Sequence, residues 1–466
     1  MKKELYEEYF KNKKVTVMGL GLLGRGLGDT AFLVDSGAKL IVTDKKTEEE
    51  LAPSLEFLRV HIGEPYVDIQ FVLGEHRLED FVERDFILKA AGIPFDSEYI
   101  NCAVQNGVPV YMSAALVSSI VMEKLEGVTI IGITGTRGKS TVTQLIAHIL
   151  KTSGLNVHVG GNVRGIANLP LLETIGRGLN TTGNNVVSPD HHEDGSGDFL
   201  VLELDSWQLQ GFGDMHISPH IAVFTSFMDD HMNYYKNDKE MYFNDKANIY
   251  HAQNEYDVLI ASPQAASEIL MREKVAILVP EQRNFEMKLI GEHNVVAARL
   301  AYEVATQCGL EDAEIRKAIA TFSAVEGRLE DLGLFGDKRV RVFNDNNATT
   351  PEATIAALTA IKETYHKNPI LIIGGADKGL PLEMLVETVK NTTKACVFLE
   401  GTGTARLEML QGKRFATLSA CVEEAFLLAE DDDIILFSPA FASFSNEFNN
   451  EYEKNDAFIK KVESFT

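Results

Sequence analysis

An α/β protein of three domains is the fold this sequence predicts, and three observations carry it. A strand, a glycine loop and a helix follow one another from Val15 and again from Val128. From Glu326 onward, apolar strands alternate with helical stretches. A chain of 466 residues is long enough for about three domains that each bury a core. The expected divisions are residues 1–114, 115–325 and 326–466.

The first domain opens with the strand Val15-Thr-Val-Met, the loop Gly19-Leu20-Gly21-Leu22-Leu23-Gly24 and a helix through Leu33. The second strand, Leu40 to Thr43, ends at Asp44-Lys45, about 20 residues beyond Gly24, where a ribose-binding acid belongs. This is a Rossmann-like beginning. The Gly-x-Gly-x-x-Gly pattern reports a helix N-terminus suited to a diphosphate, which dinucleotides and sugar nucleotides both carry. Further on, Phe86 to Pro94 reads as a strand ending in a loop at Gly92, at the sheet edge where open α/β folds bind ligands.

The central domain carries the most specific stretch, Gly132-Ile-Thr-Gly135-Thr136-Arg137-Gly138-Lys139-Ser140-Thr141. Val128 to Ile133 leads in as a buried strand. Val142, Leu145, Ile146, Ile149 and Leu150 follow at helical spacing. Glycines let the backbone wrap a phosphate chain, the amides supply positive potential, Lys139 adds a full charge, and a hydroxyl at Ser140 or Thr141 can hold Mg²⁺. The spacing is not the strict Walker one, because Gly132 stands one position too far away; the shorter form Gly-Thr-x-Gly-Lys-Ser/Thr is present. Phe199 to Leu202 then forms an apolar strand ending in Glu203, the place for a metal ligand or water positioner beside a phosphate loop. Ser206 and Gln208 follow it. A third strand, Ile221 to Phe227, leads to Asp230-His231, and position at a strand's carboxyl end favours a place for His231 in the site over a core or capping role. Lys246, on a helical stretch, reads as a surface lysine. The polar segment 180–198 reads as a solvated loop, with His191 and His192 in water.

The net charge of -24 argues against nucleic acid or an anionic membrane surface as partner. Four scattered cysteines match no metal or redox pattern and fit a reducing compartment. The N-terminus lacks an apolar signal core, and no apolar run approaches the ~20 residues that span a bilayer. A cytoplasmic monomer acting on small molecules, without membrane insertion, is expected.

Several motifs together resemble the Mur ligase family, and within it the enzymes that add D-glutamate: Gly135 to Thr141, Gly160-Gly-Asn162, Leu202-Glu-Leu-Asp-Ser-Trp-Gln-Leu209, Asp230-His-Met232, Gly291-Glu-His-Asn294, Glu326-Gly-Arg328, Asn344-Asp345, Ala348-Thr349, Gly374-Gly-Ala-Asp-Lys378 and Phe437 to Phe444. The resemblance implies a Rossmann-like N-terminal domain for UDP, a central P-loop ATPase-like domain with a parallel sheet, and a C-terminal Rossmann-like α/β domain. It implies an ATP-dependent ligase that joins D-glutamate to UDP-N-acetylmuramoyl-L-alanine through an acyl phosphate, with two Mg²⁺ ions, in peptidoglycan precursor synthesis.

By this resemblance the UDP substrate meets Gly19, Leu20, Gly21, Leu22, Leu23, Asp44, Lys45, Gly92, Asn162, Ser206 and Gln208. ATP meets Gly135 to Thr141, Asn294, Arg328 and Asp345. Ser140 and Glu203 hold one Mg²⁺, and His231 holds the second with a carbamylated Lys246, which reverses the surface reading of that lysine. Thr349, Lys378, Ser443 and Phe444 receive D-glutamate. The chain departs from the family at Arg137, commonly Asn; at Asn346-Asn347, usually Ser-Lys; at Tyr111 to Ala115, where an acidic stretch is often found; and in the 180–198 insertion. Three other readings fit parts of the pattern. One is another amino-acid ligase of this fold, either a different Mur enzyme or a folylpolyglutamate synthase, and the first glycine loop disfavours the latter. Another is a nucleotide-binding homologue without catalysis, disfavoured by Glu203, His231 and Lys246 together. A nicotinamide oxidoreductase rests on Gly19, Gly21, Gly24 and Asp44 alone.

Overall fold

The computed structural model describes residues 2–22, 24–62, 68–94, 96–175, 197–232, 234–442, 447–448 and 451–466. Leu23, His191, His192, Ser443 and Phe444 lie outside the described residues, as does most of the 180–198 segment. Residues 1–282 with 299–315 form one compact unit, and residues 283–298 with 316–466 form another.

The first unit holds two five-stranded parallel sheets. One contains β1 Lys14–Met18, β2 Lys39–Asp44, β3 Ile69–Leu73, β4 Phe86–Lys89 and β5 Val110–Tyr111, in the order β3-β2-β1-β4-β5. The other contains β6 Val128–Thr134, β7 Asn156–Gly161, β8 Asp198–Glu203, β9 Ile221–Phe224 and β10 Val258–Ala261, in the order β10-β9-β6-β8-β7. Parallel pairing requires long crossovers, and the helices that make them cover both faces of each sheet. That is why β6, β8 and β9 read as continuous apolar runs rather than alternating ones; every residue of β8 and β9 is buried. Val15, Val17 and Val42 share one apolar core with Ile130, Leu200, Leu202 and Phe224. In both sheets the first strand sits centrally with partners on either side, which places a topological switch point, and so a ligand crevice, at the ends of β1 and β6.

The second unit holds a six-stranded sheet. Its strands are β11 Glu330–Phe335, β12 Val340–Asn344, β13 Ile370–Ile373, β14 Ala395–Leu399, β15 Lys413–Phe415 and β16 Ile434–Phe437, in the order β11-β12-β16-β13-β14-β15. Only β11 runs antiparallel to its neighbour. Successive residues feed opposite cores: Leu371 and Ile373 pack on one face, Ile370 and Ile372 on the other.

Candidate active site

The phosphate loop is built by geometry that only glycine tolerates. Gly135 has φ +143°, and a Cβ there would stand 2.1 Å from Thr225 Oγ1. Gly138 is left-handed at φ +85° and opens the helix Lys139–Thr152. Two hydroxyls at the end of β9 brace the loop from behind. Thr225 Oγ1 donates to Arg137 O, and Ser226 Oγ accepts from Arg137 N at 2.8 Å. Thr136 N donates to Ser226 O at 2.8 Å, and Thr136 Oγ1 accepts from Met228 N at 3.0 Å.

Two lysines converge on this loop. Lys139 Nζ and Lys246 Nζ each donate to Gly135 O at 3.0 Å. Lys246 is 1% exposed, so the reading of it as a surface residue is corrected. Its helix, Lys239–Ala247, buries Tyr242, Phe243, Lys246 and Ala247, an apolar stripe on which the lysine falls at helical spacing. Burial first, and the Lys139 charge second, push the Lys246 ammonium well below the usual lysine range, against Asp205, Asp230 and Asp245.

Glu203 ends β8 as expected, opposite Ile133 of the neighbouring β6, and is 5% exposed. Its main-chain oxygen accepts from Asn162 N at 2.7 Å. His231 has φ +56°; its ring stands 4.8 Å from Trp207, and its Nε2 lies 3.8 Å from Asp230 Oδ2. Asp230 also lies 3.6 Å from the Arg137 guanidinium. Ser140 and Thr141 open the Lys139–Thr152 helix. Among the described residues no three His, Cys, Asp or Glu side chains gather as a metal cluster.

At the first sheet, Gly19, Gly21 and Gly24 all have positive φ. Asp44 holds this loop itself: its carboxylate accepts from Gly21 N at 3.0 Å and from Lys46 N at 2.9 Å. Leu20 is buried and Leu22 is 48% exposed, with Lys45 exposed beside them. Gly92 follows β4, in open space. Asn162 faces this region, accepting from Arg25 Nη1. Ser206 and Gln208 are buried; Gln208 closes a capping box with Asp205 at the start of the helix Ser206–Asp214.

In the second unit, Lys378 Nζ donates to Thr349 Oγ1 at 3.1 Å, so two residues expected to receive the amino acid meet. Asp345 is buried and accepts from Leu329 N at 3.0 Å and Ser438 Oγ at 2.9 Å. Burial raises its carboxyl to about 7, opposed by those hydrogen bonds and by Arg328. Asn294 is buried, and its Nδ2 donates to Ile290 O at 2.8 Å.

Residues 133–277 match the Mur ligase middle domain, and residues 327–441 match the Mur ligase glutamate ligase domain. A UDP-N-acetylmuramoylalanine–D-glutamate ligase from Roseiflexus sp. (strain RS-1) is 31% identical over 506 aligned positions, covering 97% of this chain and 99% of that one. The chain belongs to the Mur ligase family. A ligase of the same name from Borreliella afzelii (strain PKo) is 31% identical over 486 positions, covering 97% of this chain and 98% of that one. Among solved structures, the UDP-N-acetylmuramate–alanine ligase of Thermotoga maritima superposes with a TM-score of 0.60 at 17% identity, covering 98% of this chain and 100% of that one. The MurF ligase of Thermotoga maritima in complex with ADP gives a TM-score of 0.55 at 14% identity, covering 99% and 96%. These likenesses establish that this Mur ligase shares their fold. The bracing pair Thr225-Ser226 is not among the residues that the sequence motifs single out. The signal available for this Mur ligase was two hydroxyls directly after an apolar strand, at a carboxyl edge.

Proposed function

We propose that this chain joins D-glutamate to UDP-N-acetylmuramoyl-L-alanine at the expense of ATP. The observation that carries the reading is the paired lysines on the phosphate loop, in a chain matched over nearly its full length by relatives bearing that activity in their names. A carboxylate is a poor acyl donor. Its oxygen takes the terminal phosphoryl group of ATP, releasing ADP; the amine of D-glutamate then attacks the acyl carbon, the C–O bond to phosphate breaks, and inorganic phosphate leaves.

In-line phosphoryl transfer needs positioning and charge neutralisation more than covalent help. Lys139, already at the loop, turns from Gly135 O to the transferred phosphate. The Ser140 hydroxyl and the buried Glu203 carboxylate are hard oxygen donors that suit one Mg²⁺. Burial favours the neutral Lys246 amine, which can take up CO₂ as a carbamate and, with His231, hold a second Mg²⁺. When bound, such ions neutralise the charge that develops on the transferred oxygens. We place the UDP moiety at the Gly19–Gly24 loop, which Asp44 holds open from behind. The acceptor amino acid goes to Lys378 and Thr349. A monomer in the cytoplasm completes the reading; among the described residues no helix is long and apolar enough to cross a membrane.

The deciding assay measures phosphate release with ATP, Mg²⁺ and UDP-N-acetylmuramoyl-L-alanine against a panel of amino acids. D-glutamate should support turnover far above D-alanine, L-lysine or diaminopimelate. Preference for a neutral or dibasic amino acid would overturn the reading.

A further inference from the structure

The helix Glu451–Glu463 begins at the carboxyl edge of the six-stranded sheet, pinned there by the turn that follows β12. Asn344 Nδ2 donates to Asn455 Oδ1 at 2.8 Å, and Asn346 Nδ2 donates to Glu451 O at 2.9 Å. Lys454, on the first turns of this helix, is 2% exposed, with its Nζ 5.6 Å from the centroid of the Phe437 ring at the end of β16. None of the described residues accepts a hydrogen bond from it. Nearby, Asn346 is fully buried and its Oδ1 has no hydrogen-bond partner.

Holding a lysine this deep is costly, and the chain gains nothing from it unless something arrives to pair the charge. A lysine placed there for its stem alone would be replaced by an apolar residue at a gain in stability. The charges acting on Lys454 are Glu451 and Lys378. Burial holds it down to about 7, Glu451 opposing and Lys378 adding to the effect. Lys378 follows β13, and β13 lies directly beside β16. Two cations therefore stand at the carboxyl edge of adjacent strands, where α/β sheets bind ligands.

We propose that Lys454 is the second cation of the acceptor pocket and pairs with the side-chain carboxylate of the incoming amino acid, while Lys378 and Thr349 take its α-carboxylate. This rests on the D-glutamate reading above. The assignment of the two carboxylates follows from the chemistry. The amine must point out toward the acyl phosphate, and the α-carboxylate shares its carbon, so it meets the more exposed Lys378. The side-chain carboxylate lies two methylenes further on and reaches the buried cation. Selection for a dicarboxylic amino acid then follows, because a neutral side chain would leave the Lys454 charge without its partner.

The test is a comparison of D-glutamate with D-glutamine in the wild-type enzyme and in Lys454→Gln, Lys454→Met and Lys454→Arg. Wild type should prefer D-glutamate by about tenfold to a hundredfold in kcat/KM, the worth of a charged hydrogen bond. Lys454→Gln and Lys454→Met should raise KM for D-glutamate by a similar factor, leave KM for ATP and the UDP substrate unchanged, and erase the preference over D-glutamine. Lys454→Arg should restore most of it. Unchanged KM for D-glutamate in a folded variant overturns the proposal, and so does a parallel rise in all three KM values, which is the mark of a structural role. If the uncharged variants fail to fold, the wild-type preference and the arginine variant decide; no preference over D-glutamine overturns it. If wild type turns over a different amino acid, the D-glutamate reading falls. The Lys454 proposal then falls as well if that amino acid has one carboxylate, and otherwise is judged by the same comparison with its amide.

Discussion

Gly135 O accepts from two lysines at the same distance, and those two lysines differ in what they do and in how readily the sequence shows them. Lys139 is legible because its place in a glycine loop before a helix is a local pattern. Lys246 is not, because its neighbours Asn244 and Asp245 are polar and only packing reveals that it is buried. Its spacing from Tyr242 and Phe243 was the available clue, and a lysine on an apolar stripe is ordinarily read as a snorkelling surface residue. Lys454 repeats the pattern: it shares a buried stripe with Phe458 and Val462. The two lysines also predict different variants. Lys246→Ala should be nearly inactive and partly restored by a short carboxylate such as acetate or propionate, which can stand in for a carbamate in the space left. Lys139→Ala should lose at least about a hundredfold in turnover, with no rescue by carboxylates, because a positioned cation for the phosphate is gone. Both should keep the wild-type unfolding temperature within a few degrees in a thermal melt. Equal rescue of both variants, or of neither, would remove the carbamate from the mechanism.

Among the elements, the phosphate loop and the first helix after β1 make the sharpest tests. Gly135→Ala would need both a positive φ and a Cβ 2.1 Å from Thr225 Oγ1, so the loop must move off its brace. ATP affinity should fall at least about tenfold, read by calorimetric titration, since amides that have lost their aim no longer converge on phosphate. Wild-type affinity in this variant would show that the brace is dispensable. The helix Arg25–Asp35 is tied down by Asp29, which is 4% exposed and accepts from Leu169 N at 2.8 Å. Burial raises this carboxyl from 3.8 to about 6, against hydrogen bonds from Leu169, Ser113 and Asn168. The sign follows directly: between those two values the folded state keeps a proton that the unfolded chain has released, so stability falls as pH rises through the window and is flat above it. The expected loss is about 3 kcal/mol, two pKa units at about 1.4 each. Asp29→Asn keeps an oxygen for Leu169 N–H and carries no charge, so its melting temperature should lose that slope and exceed wild type at neutral pH. Parallel melting curves for the two proteins between pH 4 and pH 6.5 (about the window just derived) would refute the assignment. Neither the loop's brace nor this tie was legible in the sequence, since both join residues more than 80 positions apart.

At the scale of the whole molecule, the sheets were legible where strands are buried on both faces and obscure where they are not. β1, β2, β4, β6, β8, β9, β12, β13, β14 and β16 announce themselves as apolar runs. The edge strands β11 and β15 do not: β11 carries Glu330, Asp331 and Gly333, and β15 is Lys-Arg-Phe. Edges are kept short and polar because an apolar edge invites pairing with another chain. The same consideration bears on assembly. β3 and β5, β10 and β7, and β11 and β15 bound the three sheets, and of these only β10 buries most of its length. The chain carries a net charge of -24, so two copies repel one another wherever their surfaces approach. All of the proposed substrates are anionic too, and against such a background they are met by a few local cations, Lys139, Lys246, Lys378 and Lys454, each held near a sheet's carboxyl edge. An assembly would have to supply enough apolar burial to overcome the repulsion. The protein should therefore sediment as a monomer of 51.5 kDa at low ionic strength, where repulsion is least screened, and should remain one as salt is added. Sedimentation equilibrium over a range of protein concentrations reads this directly. Twice that mass at low salt would mean that a specific interface outweighs the charge, and the monomer would be wrong.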